Sequence, residues 1–228
     1  MNFKIKFALT LFSVSLFFPS CTSEESADVS QDKIYADYEL FYDKNEDKTY
    51  AIATFKFSNA FGTLLKLTAP SEVKFNSDII PYDPIFSYYK KEYAGLLTSG
   101  TFTFKDKDGK IYTNTANMAK VIANPNITEI NRAGAFTYTW SGEKIAANEW
   151  IDFVLINTAN QLNFQYFLQN TLNADNLVLP VSQLNQLPIG EAFGRLDRVT
   201  EAAAVQATSA GGKVRGKYRT LNQNISIK

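Results

Sequence analysis

The sequence predicts an all-β protein, and three observations carry that expectation. Polar and apolar residues alternate over short runs, β-branched and aromatic residues dominate those runs, and polar turns punctuate them at the spacing of a β-sandwich. The 228 residues include 18 Phe and 12 Tyr, side chains that pack well on a pleated, half-buried surface. Sustained helical periodicity is hard to find.

Taken in order, Tyr38–Tyr42 (YELFY) reads as a strand. Asp43-Lys44-Asn45-Glu46-Asp47 turns the chain into a second strand at 49–57, which Ser58-Asn59 closes. Thr101–Lys105 alternates cleanly, Asp106-Lys107-Asp108-Gly109 turns, and Lys110–Thr113 returns; an Asp-Gly between two such runs is a strong hairpin signal. Later strands are expected at 136–140, 150–157, 162–168, 176–180, 190–206 and 213–227. Thr200–Ala207 (TEAAAVQA) has helical composition, but an Ala-rich strand leading to Gly211-Gly212 reads equally well.

Ala123-Asn124-Pro125-Asn126 is the best internal boundary. It divides the chain into units at 33–124 and 125–228, each the size of an Ig-like β-sandwich. Two such sandwiches in tandem are the expected architecture, with one elongated sandwich as the alternative. No internal repeat relates the two units.

The N-terminus carries an address. Met1-Asn2-Phe3-Lys4-Ile5-Lys6 is basic, and Phe7–Phe18 follows as 12 uncharged residues. A basic start, a short apolar core and a small residue before the cut describe a secretory signal peptide over 1–20. The run is shorter than the roughly 20 apolar residues of a membrane-spanning helix. Phe18-Pro19-Ser20-Cys21 then resembles the lipobox of bacterial lipoproteins, although Pro19 departs from the usual pattern. The resemblance implies that Cys21 begins the mature chain and carries acyl chains such as palmitate. Cys21 is the only cysteine of the chain, and an exported protein with a single thiol calls for such an explanation. Thr22-Ser23-Glu24-Glu25 resembles the surface-export signal of Bacteroidota lipoproteins, which implies the bacterial outer membrane, on its outer face. Residues 21–32 are expected to be the lipidated cysteine and a flexible tether.

Composition then narrows the chemistry. The chain has no histidine, which removes Ser-His-Asp and Cys-His catalysis and the usual zinc and copper sites. With Cys21 acylated no thiol is left to react, and no Gly-rich phosphate loop is present. No cofactor and no metal site are therefore expected. Asp43–Asp47 places oxygens at alternate positions, as calcium loops do, but Lys48 stands where such a loop needs glycine; the run reads as a turn, as do Asp106 and Asp108. Paired carboxylates need neither histidine nor metal. Asp152, in Trp150–Ile156, shares a strand face with Trp150, Val154 and Ile156 and is the acid best placed for a raised pKa. No second acid can be paired with it from the sequence.

Removing 1–20 leaves 21 basic and 23 acidic residues, a balance that predicts no nucleic-acid binding. The charges are unevenly placed: residues 22–50 hold nine acids and three bases, and residues 190–228 hold seven bases and three acids. Lys213, Arg215, Lys217 and Arg219 fall at period two on one face of a strand, with Val214 and Tyr218 turned to the core. Four like charges in register repel, and an anionic ligand would relieve that repulsion. Arg195 and Arg198 extend the row if their strand pairs beside it. A solvated strand face that protects a sheet edge is the plainer reading. Tyr82, Phe86, Tyr88, Tyr89 and Tyr93 raise a similar choice between a sugar-stacking platform and core.

The sequence thus points to a non-enzymatic binding or structural module of the cell envelope, held to the membrane by its lipid anchor. The partner is an acidic glycan or an envelope protein. The competing expectation is a carboxylate-dependent glycan hydrolase or lyase.

Overall fold

A computed structural model describes residues 23–228, and within them the protein is mostly β, with one short helix at Val181–Leu184. The expected signal peptide (1–20) and Cys21 lie outside the described residues.

The chain enters through β1 (Glu24–Glu25) and two 3-10 turns, and then forms the long hairpin of β2 (Ile34–Asp43) and β3 (Lys48–Phe57). Short strands follow as β4 (Leu64–Lys66), β5 (Glu72–Phe75), β6 (Asp78–Ile79) and β7 (Tyr82–Asp83). Next come β8 (Tyr88–Ala94), β9 (Ser99–Lys105) and β10 (Ile111–Asn117). The second half opens with β11 (Ile122–Ala123), β12 (Glu129–Ile130) and β13 (Phe136–Ser141). It continues through β14 (Glu149–Asn157), β15 (Phe164–Gln169) and β16 (Asn176–Leu179). It closes with β17 (Gly190–Thr208), β18 (Gly211–Arg219) and β19 (Gln223–Ile227). Thr200–Ala207 is therefore strand rather than helix, committed by its cross-strand pairing to β18.

One large sheet runs in the order β1-β4-β3-β2-β18-β17-β14-β15, with β8 paired to β3 and β19 to β17. Two smaller sheets, β10-β9-β5-β6 and β11-β13-β16, form the second layer. Tyr38 of β2 stacks on Phe102 of β9 at 5.0 Å, and Phe55 of β3 packs on Phe104 at 4.7 Å. In the other half Tyr138 of β13 stacks on Phe153 of β14 at 4.1 Å. Most of the buried apolar residues of both halves belong to one cluster.

The expected division into 33–124 and 125–228 is crossed by β18. This strand comes from the second half, yet it pairs in parallel with β2 over eight residues, from Gly212↔Ala36 to Arg219↔Asp43. Its fit explains why glycine stands at 216: a Cβ there would lie 1.9 Å from the Asn117 carbonyl oxygen. Backbone can approach that closely only where no side chain intervenes. The two halves share a sheet and a core.

The expected tether also differs, because residues 23–32 are folded onto the sheet. β1 pairs in parallel with β4, Glu24 beside Leu65 and Glu25 beside Lys66. The buried Ser26 hydroxyl accepts the Thr68 amide at 2.9 Å, and Gln31 donates to the Ser26 and Val29 carbonyls. The segment is polar as a free linker would be, but its polar groups are spent on partners in the fold, such as Lys66 and Thr68 on Glu25. A strand of two residues lies below the length at which periodicity shows.

Candidate functional site

One face of the large sheet meets the two smaller sheets, and the other is the outer face. Register fixes what the outer face carries, since residues directly opposite in a ladder share a face. Asp37, Glu39 and Asp43 of β2 lie opposite Lys213, Arg215 and Arg219 of β18. Glu201 and Asp197 of β17 lie opposite Arg215 and Arg219 on the other side. Farther along, Arg195 stands opposite Val154, and Asp152 stands opposite both Asp197 and Leu168.

The predicted basic row is therefore present in register, but it is not a free cationic surface. Arg215 is clamped between Glu39 and Glu201, at 2.9 Å to the latter. Arg219 holds Asp197 through two nitrogens at 2.8 Å and reaches Asp43 at 3.3 Å. Lys217 meets Asp197 at 2.9 Å, and Lys213 meets Glu201 at 3.2 Å and Asp37 at 3.7 Å. Lys217 and Arg219 also lie over the Phe41 ring. Repulsion within the row is met by carboxylates of the same chain. The acids supplied by β2 come from the acidic stretch 22–50, and the cations from the basic stretch 190–228, so the charge asymmetry is the electrostatic complement that seats β18 beside β2.

The carboxylates respond accordingly. Burial pushes Asp197 upward, but the Arg219 hydrogen bonds and the nearby Lys217 charge outweigh it and hold Asp197 below the usual range. Glu201 behaves in the same way, with Arg215 and Lys213 overcoming burial. Asp37 goes the other way: burial raises it, and Lys213 and Arg215 offset only part of that.

Arg198 leaves the row. Its odd spacing from Arg195 turns it to the opposite face, where it is 2% exposed. There it binds the Glu149 carboxylate through two nitrogens and donates to the carbonyls of Glu143 at 2.6 Å and Lys144 at 2.9 Å. It is a buried clasp between β17 and the loop before β14.

Arg195 remains. Of the four arginines on β17 and β18, it alone has no carboxylate within 4.0 Å and no hydrogen-bond partner among the described residues. Its Nε is buried without a partner. It lines a cavity of about 260 Å³ with Val154, Ile156, Gln161, Phe164 and Tyr166, slightly below the roughly 300–1,000 Å³ of sites for drug-sized ligands. Phe164, Tyr166 and Leu168 alternate along β15, the end strand of the sheet, and all three are exposed. Gln161 and β15 supply this shelf, and the sequence offered only their alternation as a signal.

Asp152 borders the shelf. Its carboxylate accepts hydrogen bonds from Trp150 Nε1 at 3.2 Å and from the Tyr166 hydroxyl. Burial and that bond together push the Tyr166 phenol upward. Trp150, Asp152, Val154 and Ile156 do share one face, as the alternation predicts. The acid opposite Asp152 is Asp197, whose two oxygens are held by Arg219, so the two carboxylates sit on an open sheet face with one of them committed to ion pairs.

The other candidate groups are occupied. Asp43 accepts Asn45 bonds within its turn, Asp47 accepts the Tyr42 hydroxyl at 2.8 Å, and Asp106 accepts the Asp108 and Lys110 amides. Among the described residues no three His, Cys, Asp or Glu side chains converge as a metal site would require. The aromatic set divides: Tyr89 packs in the core on Phe55 and Tyr82, Tyr93 packs on Phe75, and Phe86 stacks on Tyr88 away from them.

No family model matches this chain, and no curated protein does. Among solved structures, the chicken CNTN1 FN1-FN3 domains match at 8% identity with a TM-score of 0.28, covering 83% of this chain and 65% of that one. A bacterial ice-binding adhesin described for host cell surface retention matches at 12% identity and a TM-score of 0.25, covering 91% and 66%. The Yersinia pseudotuberculosis adhesin InvE matches at 14% identity and a TM-score of 0.23, covering 87% and 60%. The chain thus spans less than two thirds of each of these three. At such similarities no residue role or ligand is carried across.

Proposed function

We propose that this chain is a lipid-anchored, non-enzymatic binding module of the bacterial outer membrane, displayed on the outer face. Its ligand on this reading is a carboxylate-bearing glycan. The anchor rests on the export-like leader, the lipobox-like 18–21 and the solitary Cys21. In fold terms we read the two sandwich halves as Ig-like units fused along β2 and β18.

The observation that carries the ligand class is Arg195. Its neighbouring arginines are neutralised by carboxylates of the same chain, whereas Arg195 stands unpaired among the described residues, in an open cavity bordered by exposed rings. A guanidinium fork matches a carboxylate in two parallel bonds. Phe164 and Tyr166 offer flat apolar surface to the C–H face of a sugar ring, which leaves water on burial. A uronic acid joins both features in one residue.

The test is retention of the protein on an immobilised polyuronate. Arg195→Gln is expected to weaken binding about tenfold or more, since a hydrogen bond to a charged group contributes about 1.5–3 kcal/mol. Lys66→Gln, on β4 near the opposite edge of the sheet from β15, is expected to leave retention unchanged. Equal retention of Arg195→Gln and the parent protein, or no retention of either, would remove the assignment.

A further inference from the structure

We infer that the end of the sheet where β1 begins docks on the bilayer surface, inserting the tips that carry Phe61, Ile85 and Phe86. This inference rests on the anchor at Cys21.

The three side chains are 98%, 83% and 62% exposed, in two separate turns. Phe61 lies in the turn from β3 to β4, and Ile85 and Phe86 lie in the turn from β7 to β8. Register brings the turns to one end. β4 leaves the first turn with Leu64 beside Lys56 and Leu65 beside Phe55. β8 runs antiparallel to β3, with Tyr89 beside Ala53 and Ala94 beside Lys48, so the turn before Tyr88 points the same way as the turn after Phe57.

The chain enters at that same end. Glu24 pairs with Leu65, which sets Ser23 level with the start of β4, and the Ser23 and Tyr82 hydroxyls share a hydrogen bond of 2.9 Å. Only two peptide steps separate Ser23 from Cys21, a reach of roughly 7 Å at full extension. With residues 23–32 folded onto the sheet, an acylated Cys21 has no slack with which to hold this end away from the lipid.

The tips suit an apolar interface, because the backbone amides of the three residues already have partners. Asp83 accepts the Ile85 and Phe86 amides at 2.9 and 3.2 Å, and Asn59 accepts the Phe61 amide at 2.8 Å. Phe86 is braced by Tyr88, with ring centroids 5.5 Å apart and an interplanar angle of 8°. Rings at the headgroup level are the usual interfacial anchors of membrane proteins. An acyl anchor fixes attachment, and the tips fix orientation, turning the opposite end of the sheet to the exterior.

The experiment uses full-length protein purified from membranes and reconstituted in phosphatidylcholine vesicles with brominated acyl chains. A tryptophan is introduced by Phe86→Trp at the tip, or by Leu221→Trp at the far end of the sheet, over the background of Trp140 and Trp150. The Phe86→Trp emission is expected to shift to the blue and to be largely quenched by bromine, with the Leu221→Trp emission unaffected. If acylated protein stays on the vesicles and the Phe86→Trp emission is not quenched, the docked orientation is refuted and the anchor stands. If mass spectrometry finds Cys21 unmodified in membrane-purified protein, the anchor falls and the docking falls with it.

Discussion

Arg198→Met is expected to lower the unfolding free energy by about 3–5 kcal/mol, the cost of removing one partner of a buried ion pair. The side chain is almost fully covered, and its loss leaves the Glu149 carboxylate without its guanidinium and the Glu143 and Lys144 carbonyls without their donor. Methionine keeps the volume and supplies no donor, so the deficit is electrostatic rather than a cavity. A drop of that size corresponds to about 6–20 °C in Tm for a chain of this length. The companion substitution Glu149→Gln separates the pair from the packing: added to Arg198→Met it removes the stranded charge and is expected to restore part of the loss. Urea denaturation of the single and double variants reads both quantities. A loss below about 1 kcal/mol for Arg198→Met, the net value of an ordinary hydrogen bond, would show that the clasp does not hold the loop before β14 to β17.

The second large effect is expected from Phe55→Ala, and its reach matters as much as its size. Phe55 is fully buried between Tyr38, Tyr89 and Phe104, and truncating such a ring costs about 3–5 kcal/mol. It lies in the first half of the chain, whereas both tryptophans, Trp140 and Trp150, lie in the second. With β18 paired to β2 and a common core, the halves are expected to unfold together. Tryptophan fluorescence and far-ultraviolet circular dichroism should therefore report the same lowered midpoint in Phe55→Ala. Were the tryptophan signal to keep the parent midpoint while part of the circular dichroism signal melted early, the halves would be independent units and the shared sheet energetically idle.

Much of the β architecture was legible because long strands announce themselves. β2, β3, β9 and β17 each alternate over five or more residues, and the Asp108-Gly109 hairpin appears where its turn chemistry places it. β1, β6, β7, β11 and β12 are two residues long, too short for any periodicity, and only tertiary pairing creates them. The candidate site was legible in part. Period two placed Lys213, Arg215, Lys217 and Arg219 together, yet it cannot say which strand lies alongside. The missing information was in the composition: acids gathered at 22–50 and bases at 190–228 were two sides of one ladder. Arg198 shows the complementary error. It stands three residues from Arg195, and three steps along a strand reverse the face, so one arginine points outward and the other inward.

The parallel union of β2 and β18 has a consequence for how the molecule is made. One margin of β2 is taken by β3 as soon as the first hairpin closes, but the other must wait for a segment more than 170 residues downstream. Until β18 pairs, the folding chain carries an open strand margin beside uncovered aromatic residues, the combination that recruits neighbouring chains. The acids on β2 therefore serve twice, keeping that margin charged while it is vacant and drawing in the cationic strand that finally occupies it.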